Sequence, residues 1–214
     1  MIEGATGLVL RTRPLTDTSL IVNWLTAKYG RVSTVAKGAR RPKSQFHGKI
    51  DLFYLADFSF SRSRRSDLHT LREVSLRDTF SALRRDLAYL RQASYCAMLI
   101  EQTCESDTPL PEIFELAHSF IRTLPGQPPA PLMIFAFEIK LLAGLGLMPD
   151  LTATHLSAPA KELVRHVAGL QWDELWNVTF PPNLQTELRQ FLHGFLIFHL
   201  GKIPSGRSAA WLES

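Results

Sequence analysis

The residues most able to do chemistry in this chain are the cations of one stretch that contains no acidic residue. Between Asp17 and Asp51 every charged side chain is a lysine or an arginine. They are Lys28, Arg31, Lys37, Arg40, Arg41, Lys43 and Lys49. An uninterrupted cationic stretch attracts phosphate and releases the counterions that surround a polyanion, whereas solubility alone is normally achieved with both signs of charge. We therefore predict that this stretch binds nucleic acid.

A second cationic cluster lies further along the N-terminal part of the chain. It comprises Arg62, Arg64 and Arg65, interleaved with serines. In an OB-type barrel the loop between the fourth and fifth strands often contacts the ligand, and this segment is predicted to be that loop. Arg11 and Arg13, in the first predicted strand, complete the set of predicted DNA-binding cations.

Aromatic side chains near these cations could stack on bases, as they do in single-strand binders. Tyr29 and Phe46 are at predicted loop positions beside basic residues, and they are the candidates for base stacking. Tyr54, Phe58 and Phe60 instead lie on one face of a predicted strand, where apolar residues occupy every second position. That alternation predicts that these three rings fill the core of a barrel.

Groups that could catalyse a reaction or hold a metal do not converge in this sequence. There is no Gly-x-Ser-x-Gly segment of a serine hydrolase and no His-Glu-x-x-His spacing of a zinc hydrolase. Asp51 and Asp57 share a predicted strand face, but no third carboxylate joins them as a metal-dependent nuclease requires. Residues 201–208 have the spacing of a phosphate-binding loop but follow a long predicted helix. We expect no catalytic residue, no metal and no cofactor.

The elements that position the cations change in character near residue 78. Apolar residues alternate with polar ones from residue 6 to residue 74, in five short segments with a longer break between the third and the fourth. Five strands in about 70 residues favour an OB-type barrel, with the fourth strand over 50–60 and the fifth over 67–74. Beyond residue 78 the period lengthens to that of helices. The fold class is therefore α+β, a five-stranded barrel followed by an all-α domain.

The predicted helices cover 80–105, 111–124, 131–144, 160–168 and 183–200. The last helix is apolar on nearly every side, so we expect it at the centre of the helical core. Cys96 and Cys104 are two turns apart in the first helix, too far for a disulfide, and are expected to be reduced core thiols.

Charge supports a division into two domains with different tasks. Residues 1–80 contain 14 Lys and Arg against 7 Asp and Glu, whereas the rest of the chain contains 10 against 13. We predict a nucleic-acid-binding domain over 1–78 and a helical domain over 79–214 that serves protein partners. No run of 18 apolar residues occurs and the first twenty residues lack the apolar stretch of a signal peptide, so we expect a cytoplasmic protein.

Several of these motifs resemble one known family, that of the bacterial recombination mediator RecO. In the barrel they are GLVLRTRP at 7–14, TSLIV at 18–22, YGR at 29–31 and VAKGARRPKS at 35–44. In the helical part they are FEIKLL at 137–142, GLG at 144–146, PD at 149–150 and HLGK at 199–202. The resemblance covers about half of the chain in the correct order.

The resemblance implies an N-terminal OB-fold and a C-terminal α-helical domain. It implies binding of single- and double-stranded DNA, annealing of complementary strands, and help in loading RecA onto DNA covered by single-strand-binding protein. RecR and the acidic tail of single-strand-binding protein are the implied partners, the place of action is the nucleoid, and no enzymatic turnover is expected.

Two departures from the family pattern change what is expected of the helical domain. Many relatives carry a four-cysteine zinc module after the Pro-Asp that matches Pro149-Asp150, but residues 151–180 contain no cysteine, so zinc is expected to be absent and 150–181 to replace the module. Relatives often have arginine where this chain has Ala136. Arg122 and Lys140 are then the candidates for binding the partner's tail.

The same residues are also compatible with two other functions. A DNA-processing nuclease would show magnesium-dependent cleavage of labelled oligonucleotides. An RNA-binding OB-fold protein would prefer RNA to DNA of one sequence at one salt concentration.

Overall fold

The N-terminal part of the chain forms a closed five-stranded barrel. The computed structural model describes residues 2–212. Its strands are β1 (Ile2–Pro14), β2 (Leu20–Thr26), β3 (Gly30–Ala36), β4 (Leu55–Ser61) and β5 (Leu68–Asp78). Their order around the barrel is β1-β2-β3-β5-β4, with β3 and β5 parallel and every other pair antiparallel. This is the OB-fold predicted from the sequence.

The barrel core is built from every second residue of the strands. Val22 and Trp24 of β2 are fully buried, and the ring of Trp24 stacks on that of Phe58 with centroids 4.2 Å apart. The indole Nε1–H of Trp24 donates to Thr34 Oγ1 at 2.9 Å, so a polar atom that the core encloses is satisfied inside it. Phe58 and Phe60 are buried as predicted, with 4% and 0% of their surface exposed.

The fourth strand begins later than the alternation predicts. It starts at Leu55 rather than near residue 50, because the segment before it forms turns. The Tyr54 N–H donates to the Asp51 carbonyl at 3.2 Å, and Phe53 has a φ of 65°. The apolar alternation therefore extends from the strand into the turn before it, because side chains of that turn are also partly buried.

Six α-helices follow the barrel in residues 79–212. They are α1 (Leu87–Thr103), α2 (Pro111–Thr123), α3 (Pro131–Gly144), α4 (Ala158–Gly169), α5 (Pro182–Leu200) and α6 (Arg207–Ala210). Short 3₁₀ segments cover Ser81–Arg85, Leu124–Gly126 and Glu174–Asn177. The predicted first helix is divided because the Asp86 carboxylate accepts the Ala88 N–H at 2.8 Å, which starts a new helix there. The helices predicted over 111–124, 131–144 and 160–168 are confirmed to within a few residues.

The helix at the centre of the helical core is α3, so the prediction that the last helix has this place is wrong. Ten residues of α3, from Leu132 to Leu142, are buried. In α5 only one stripe is buried, namely Leu188, Leu192 and Leu196, while Phe198 is 83% exposed. A helix that has apolar residues on every side is still only partly buried when the rest of the chain covers one side of it.

The chain divides into two compact units. The barrel unit contains Met1–Ser81 with Ile100–His118, and the helical unit contains Ala82–Leu99 with Ser119–Ser214. Within the barrel unit, the end of α1 and the start of α2 accompany the strands. Cys96 and Cys104 are both free and buried. None of the helices in residues 2–212 is both long and apolar enough to cross a membrane.

Candidate nucleic-acid interface

The basic stretch after β3 forms a compact loop of consecutive turns. Four backbone hydrogen bonds of 3.0–3.1 Å close these turns, from Arg41 N to Gly38 O, Ser44 N to Arg41 O, His47 N to Ser44 O, and Lys49 N to Phe46 O. The side chain of Phe46 is 4% exposed and belongs to the barrel core. A loop that is tied by its own turns and by one core side chain loses little entropy when a ligand binds to it.

The cations of this loop point to solvent. Lys37, Arg40, Arg41, Lys43 and Lys49 are all exposed. Between residues 2 and 212 none of the five has an acidic partner. Their positive charge is therefore available to phosphate groups.

The β1–β2 turn lies against this loop, and a further exposed cation precedes the turn. The Arg40 N–H donates to the Thr18 carbonyl at 3.0 Å, and an Arg40 guanidinium N–H donates to the Thr16 carbonyl at 3.2 Å. Arg13, which is exposed at the end of β1, pairs with Ile21 at the start of β2. We name Arg13, Lys37, Arg40, Arg41, Lys43 and Lys49 the loop cluster.

The predicted cation Arg62 is held by two carboxylates instead of being open to solvent. Its guanidinium binds Glu3 at 2.9 and 3.2 Å and Asp107 at 2.7 Å. The hydrogen bonds that Arg62 donates, first to Glu3 and then to Asp107, raise the pKa of Arg62, and the bond that Glu3 accepts lowers the pKa of its carboxyl. Arg62 thus joins three segments of the barrel unit. Its neighbours Arg64 and Arg65 are exposed and have no acidic partner in the described chain.

Arg11 and Arg31 are also engaged, because residues 100–118 cover the outer side of β2 and β3. Arg11 makes an ion pair of 2.5 Å with Glu101, a carboxylate that also accepts from Asn23 Nδ2 at 2.7 Å. Arg31 faces Ser106, and its carbonyl accepts the Asp107 N–H at 3.0 Å. Leu25, whose side chain points to this outer side of β2, is fully buried.

This covered face matters because strands 2 and 3 of an OB-fold usually contact oligonucleotides. Here Glu101, Ser106 and Asp107 contact that side of the barrel. Lys28, the loop cluster, and Arg64 and Arg65 of the β4–β5 loop remain exposed.

The two predicted stacking residues differ in burial. Phe46 is in the barrel core, which corrects its assignment as a surface residue, because its side chain is what anchors the loop. The ring of Tyr29 is half-buried edge-on against Phe60, with the Lys28 amine 4.7 Å and the Arg62 guanidinium 5.5 Å from its centroid. The two cations and Phe60 thus pack around the ring of Tyr29.

In the helical unit, the two cations predicted to bind a partner's tail differ in accessibility. Arg122, in the last turn of α2, is exposed. The Lys140 amine donates to the carbonyls of Ala168 and Leu170 and lies 5.6 Å from the ring centroid of Trp172. Burial lowers the pKa of Lys140. Lys140 is thus a structural cation of the helical unit.

Sequence reasoning missed one cation beside the basic loop. Arg72 of β5 is exposed, donates to Ser61 Oγ at 2.8 Å, and accepts from Gln45 Nε2 through its carbonyl oxygen at 2.9 Å. Arg72 follows the buried Leu71 in β5, and nothing in the sequence places it beside residue 45. Over residues 2–212 no group of His, Cys, Asp and Glu is arranged to hold a metal ion.

Comparison with known proteins agrees with this architecture. The model of the family "Recombination protein O N terminal" matches residues 1–80, and that of "Recombination protein O C terminal" matches residues 84–158. The "DNA repair protein RecO" of Anaeromyxobacter sp. (strain K) is 37% identical over 77% of this chain and 65% of the relative. Those of Rhodopirellula baltica and Bacillus pumilus are 34% and 29% identical over 66% and 71% of this chain.

The chain spans less than two thirds of the length of these curated relatives, with 53% and 58% of the latter two covered. The match of both family models, in order and over most of the chain, confirms the resemblance that the motifs indicated. The chain belongs to the RecO family.

Proposed function

We propose that this protein acts in DNA repair as a non-enzymatic recombination mediator that binds single- and double-stranded DNA and anneals complementary strands. The observation that carries the proposal is the loop cluster, a set of exposed cations without acidic partners on a loop that is fixed to the barrel. The names of the relatives, each a DNA repair protein, support the same reading.

Annealing follows from what such a surface does to two like-charged strands. Cations that contact both strands lower the repulsion between their phosphates, and base pairing then supplies the sequence match. No group needs to form or break a covalent bond. We therefore expect neither ATP hydrolysis nor stoichiometric zinc, and elemental analysis together with an ATPase assay checks both expectations.

The protein's partners belong to the same proposal. Residues 1–78 bind DNA, and residues 79–214 serve protein partners, a division supported by the two family models, which meet between residues 80 and 84. The partners are RecR and the tail of single-strand-binding protein, and the outcome is the loading of RecA onto covered DNA at the nucleoid in the cytoplasm. Since the Lys140 amine is engaged, Arg122 is the cation we assign to the acidic tail.

The experiment that tests this function is a fluorescence annealing assay with complementary oligonucleotides, run with and without single-strand-binding protein. We expect the protein to accelerate annealing in both conditions, with intact strands recovered afterwards. Magnesium-dependent cleavage of the strands would instead identify a nuclease. Stronger binding to RNA than to DNA of the same sequence, at equal salt, would identify an RNA-binding protein.

A further inference from the structure

The outer face of strands β1, β4 and β5 forms a polar groove on the barrel. Gly4 pairs with Ser59, and Ser59 pairs with Glu73, so these residues form one row across the three strands. The residues of Phe58's row point into the barrel core. Because successive residues of a strand face opposite sides, the row beyond it returns to the outer face, and its members are Thr6, Asp57 and Ser75.

The basic loop forms a wall of this groove. Gln45 and Lys49 line one cavity of about 600 Å³ together with both outer rows, a volume in the range of small-ligand sites. Gln45 Nε2 donates to the carbonyl of Arg72 at 2.9 Å, which fixes the loop to the residue next to Glu73. Lys49 belongs to the loop cluster, so a strand that binds this cluster through Lys49 passes the mouth of the groove.

The two carboxylates of the groove differ in what they bind. Thr6 Oγ1 donates to Asp57 Oδ1 at 2.6 Å and Arg77 Nε donates to Asp57 Oδ2 at 2.6 Å, so both oxygens of Asp57 are engaged. Glu73 is exposed, and its carboxylate has no hydrogen-bond or ion-pair partner within residues 2–212. Glu73 is therefore an acceptor that a ligand in the groove can use.

The groove differs from the rest of the loop cluster in its charge. Lys49 is exposed and has no acidic partner in the described chain, but Glu73 lines the same cavity. A phosphate inside the groove would be repelled by Glu73, whereas a neutral group with N–H donors would bind this carboxylate. A nucleotide offers both chemical features at once, because its base carries the donors and its phosphate can bind Lys49.

We propose that this groove, which we name the Glu73 groove (Thr6, Gln45, Lys49, Asp57, Ser59 and Glu73), binds an unpaired base that carries an exocyclic amine. Glu73 accepts a hydrogen bond from the amine, as carboxylates do from N4 of cytosine. Lys49 binds a phosphate of the same strand. Thymine has the carbonyl oxygen O4 where cytosine has the amine, so the groove disfavours thymine.

The inference rests on the proposed function for the identity of the strand as DNA, and it adds a preference among bases to a surface that otherwise contacts any phosphate backbone. The amine that Glu73 binds is the group that cytosine uses to pair with guanine. A duplex therefore cannot use the groove, and pairing with a complementary strand removes the base from it. The groove would thus hold a strand before annealing and release it afterwards.

The test compares the binding of the full chain to fluorescent oligodeoxycytidylate and oligothymidylate of equal length at equal salt. The parent protein should bind the cytidylate about fivefold more tightly, which is the value of one base contact. Glu73→Ala should bring this ratio to about one by lowering the affinity for the cytidylate. Binding of a duplex should not fall in this variant.

A matched variant controls for the loss of one negative charge. Glu112→Ala removes an exposed carboxylate of the same barrel unit, in the first turn of α2, that does not line the cavity. It should raise both affinities by the same small factor and keep the preference. Lys49→Ala should lower both affinities and flatten the salt slope by about one. Because Glu73 is exposed, Glu73→Ala should melt at about the temperature of the parent.

Three results would overturn the proposal. The first is equal affinity of the parent protein for the two strands. The second is a preference for the cytidylate that survives in Glu73→Ala, since another part of the protein would then make it. The third is an equal rise of both affinities in Glu73→Ala, since the carboxylate would then only repel phosphates.

The variant with Arg40, Arg41 and Lys43 replaced by Ala separates the groove from the proposed function. A flattened salt slope in that variant, with no base preference in the parent, would refute the Glu73 groove and leave the proposed function standing. An unchanged slope in that variant, with a preference that depends on Glu73, would refute the role of the loop cluster and leave the groove standing.

Discussion

The barrel has two groups of cations in opposite environments, the first being the loop cluster and the second Arg11 and Arg62. The loop cluster is exposed and has no acidic partner in residues 2–212, whereas Arg11 and Arg62 are paired with Glu101, Glu3 and Asp107. A phosphate that approaches the first group meets uncompensated charge. At the second group the same phosphate would have to displace a carboxylate. The number of cations in a segment therefore does not measure its affinity for DNA.

The largest expected effect comes from removing the side chain that fixes the loop cluster in place. Phe46→Ala empties a core position of the barrel and should lower the free energy of unfolding by about 3–5 kcal/mol. It should also loosen the loop, so that the remaining folded protein binds DNA more weakly. Chemical denaturation and amide exchange of residues 37–49 measure the two effects. A loss of less than about 1 kcal/mol would show that the loop does not depend on Phe46.

The contrast between engaged and exposed arginines can be sharpened within one loop. Arg62→Ala removes the contacts with Glu3 and Asp107 and should cost about 1–2 kcal/mol, since the guanidinium is partly exposed and each pair contributes modestly. The neighbouring Arg64→Ala should change stability by less than about 0.5 kcal/mol but should weaken DNA binding. Thermal melts and binding curves of the two variants give both values. The reverse ranking in either assay would remove the distinction between them.

The smallest expected effect on DNA affinity comes from releasing Arg11 from the carboxylate that binds it. Glu101→Gln keeps an acceptor for Asn23 but removes the negative charge that holds Arg11. Arg11 would then become available to phosphate, so the affinity for DNA should stay the same or rise by a small factor. Fluorescence anisotropy at low salt measures the change. Weaker DNA binding, in a variant that remains folded, would show that the Arg11–Glu101 pair supports the interface.

Local sequence patterns predicted most of this fold and only part of the interface. Alternation in β2 and the change of period near residue 78 are set by neighbouring residues, so the barrel and most helices could be predicted from them. The partner of Arg62 is Glu3, 59 positions away, and only the closed barrel brings the two together. The burial of Phe46 and the exposure of Phe198 likewise depend on which surfaces the rest of the chain can cover.

The measurement that tests the central claim most directly is the salt dependence of DNA binding for two triple variants that lose equal charge. The first replaces Arg40, Arg41 and Lys43 by Ala, and the second replaces the exposed arginines 91, 122 and 165 of the helical unit.

For the first variant we predict that the slope of the logarithm of affinity against the logarithm of salt flattens by about two to three, equally on several sequences. For the second variant we predict a change of less than about one. Equal slopes in the two variants would contradict the account, because the protein would then be bound through its net charge and not through the loop cluster.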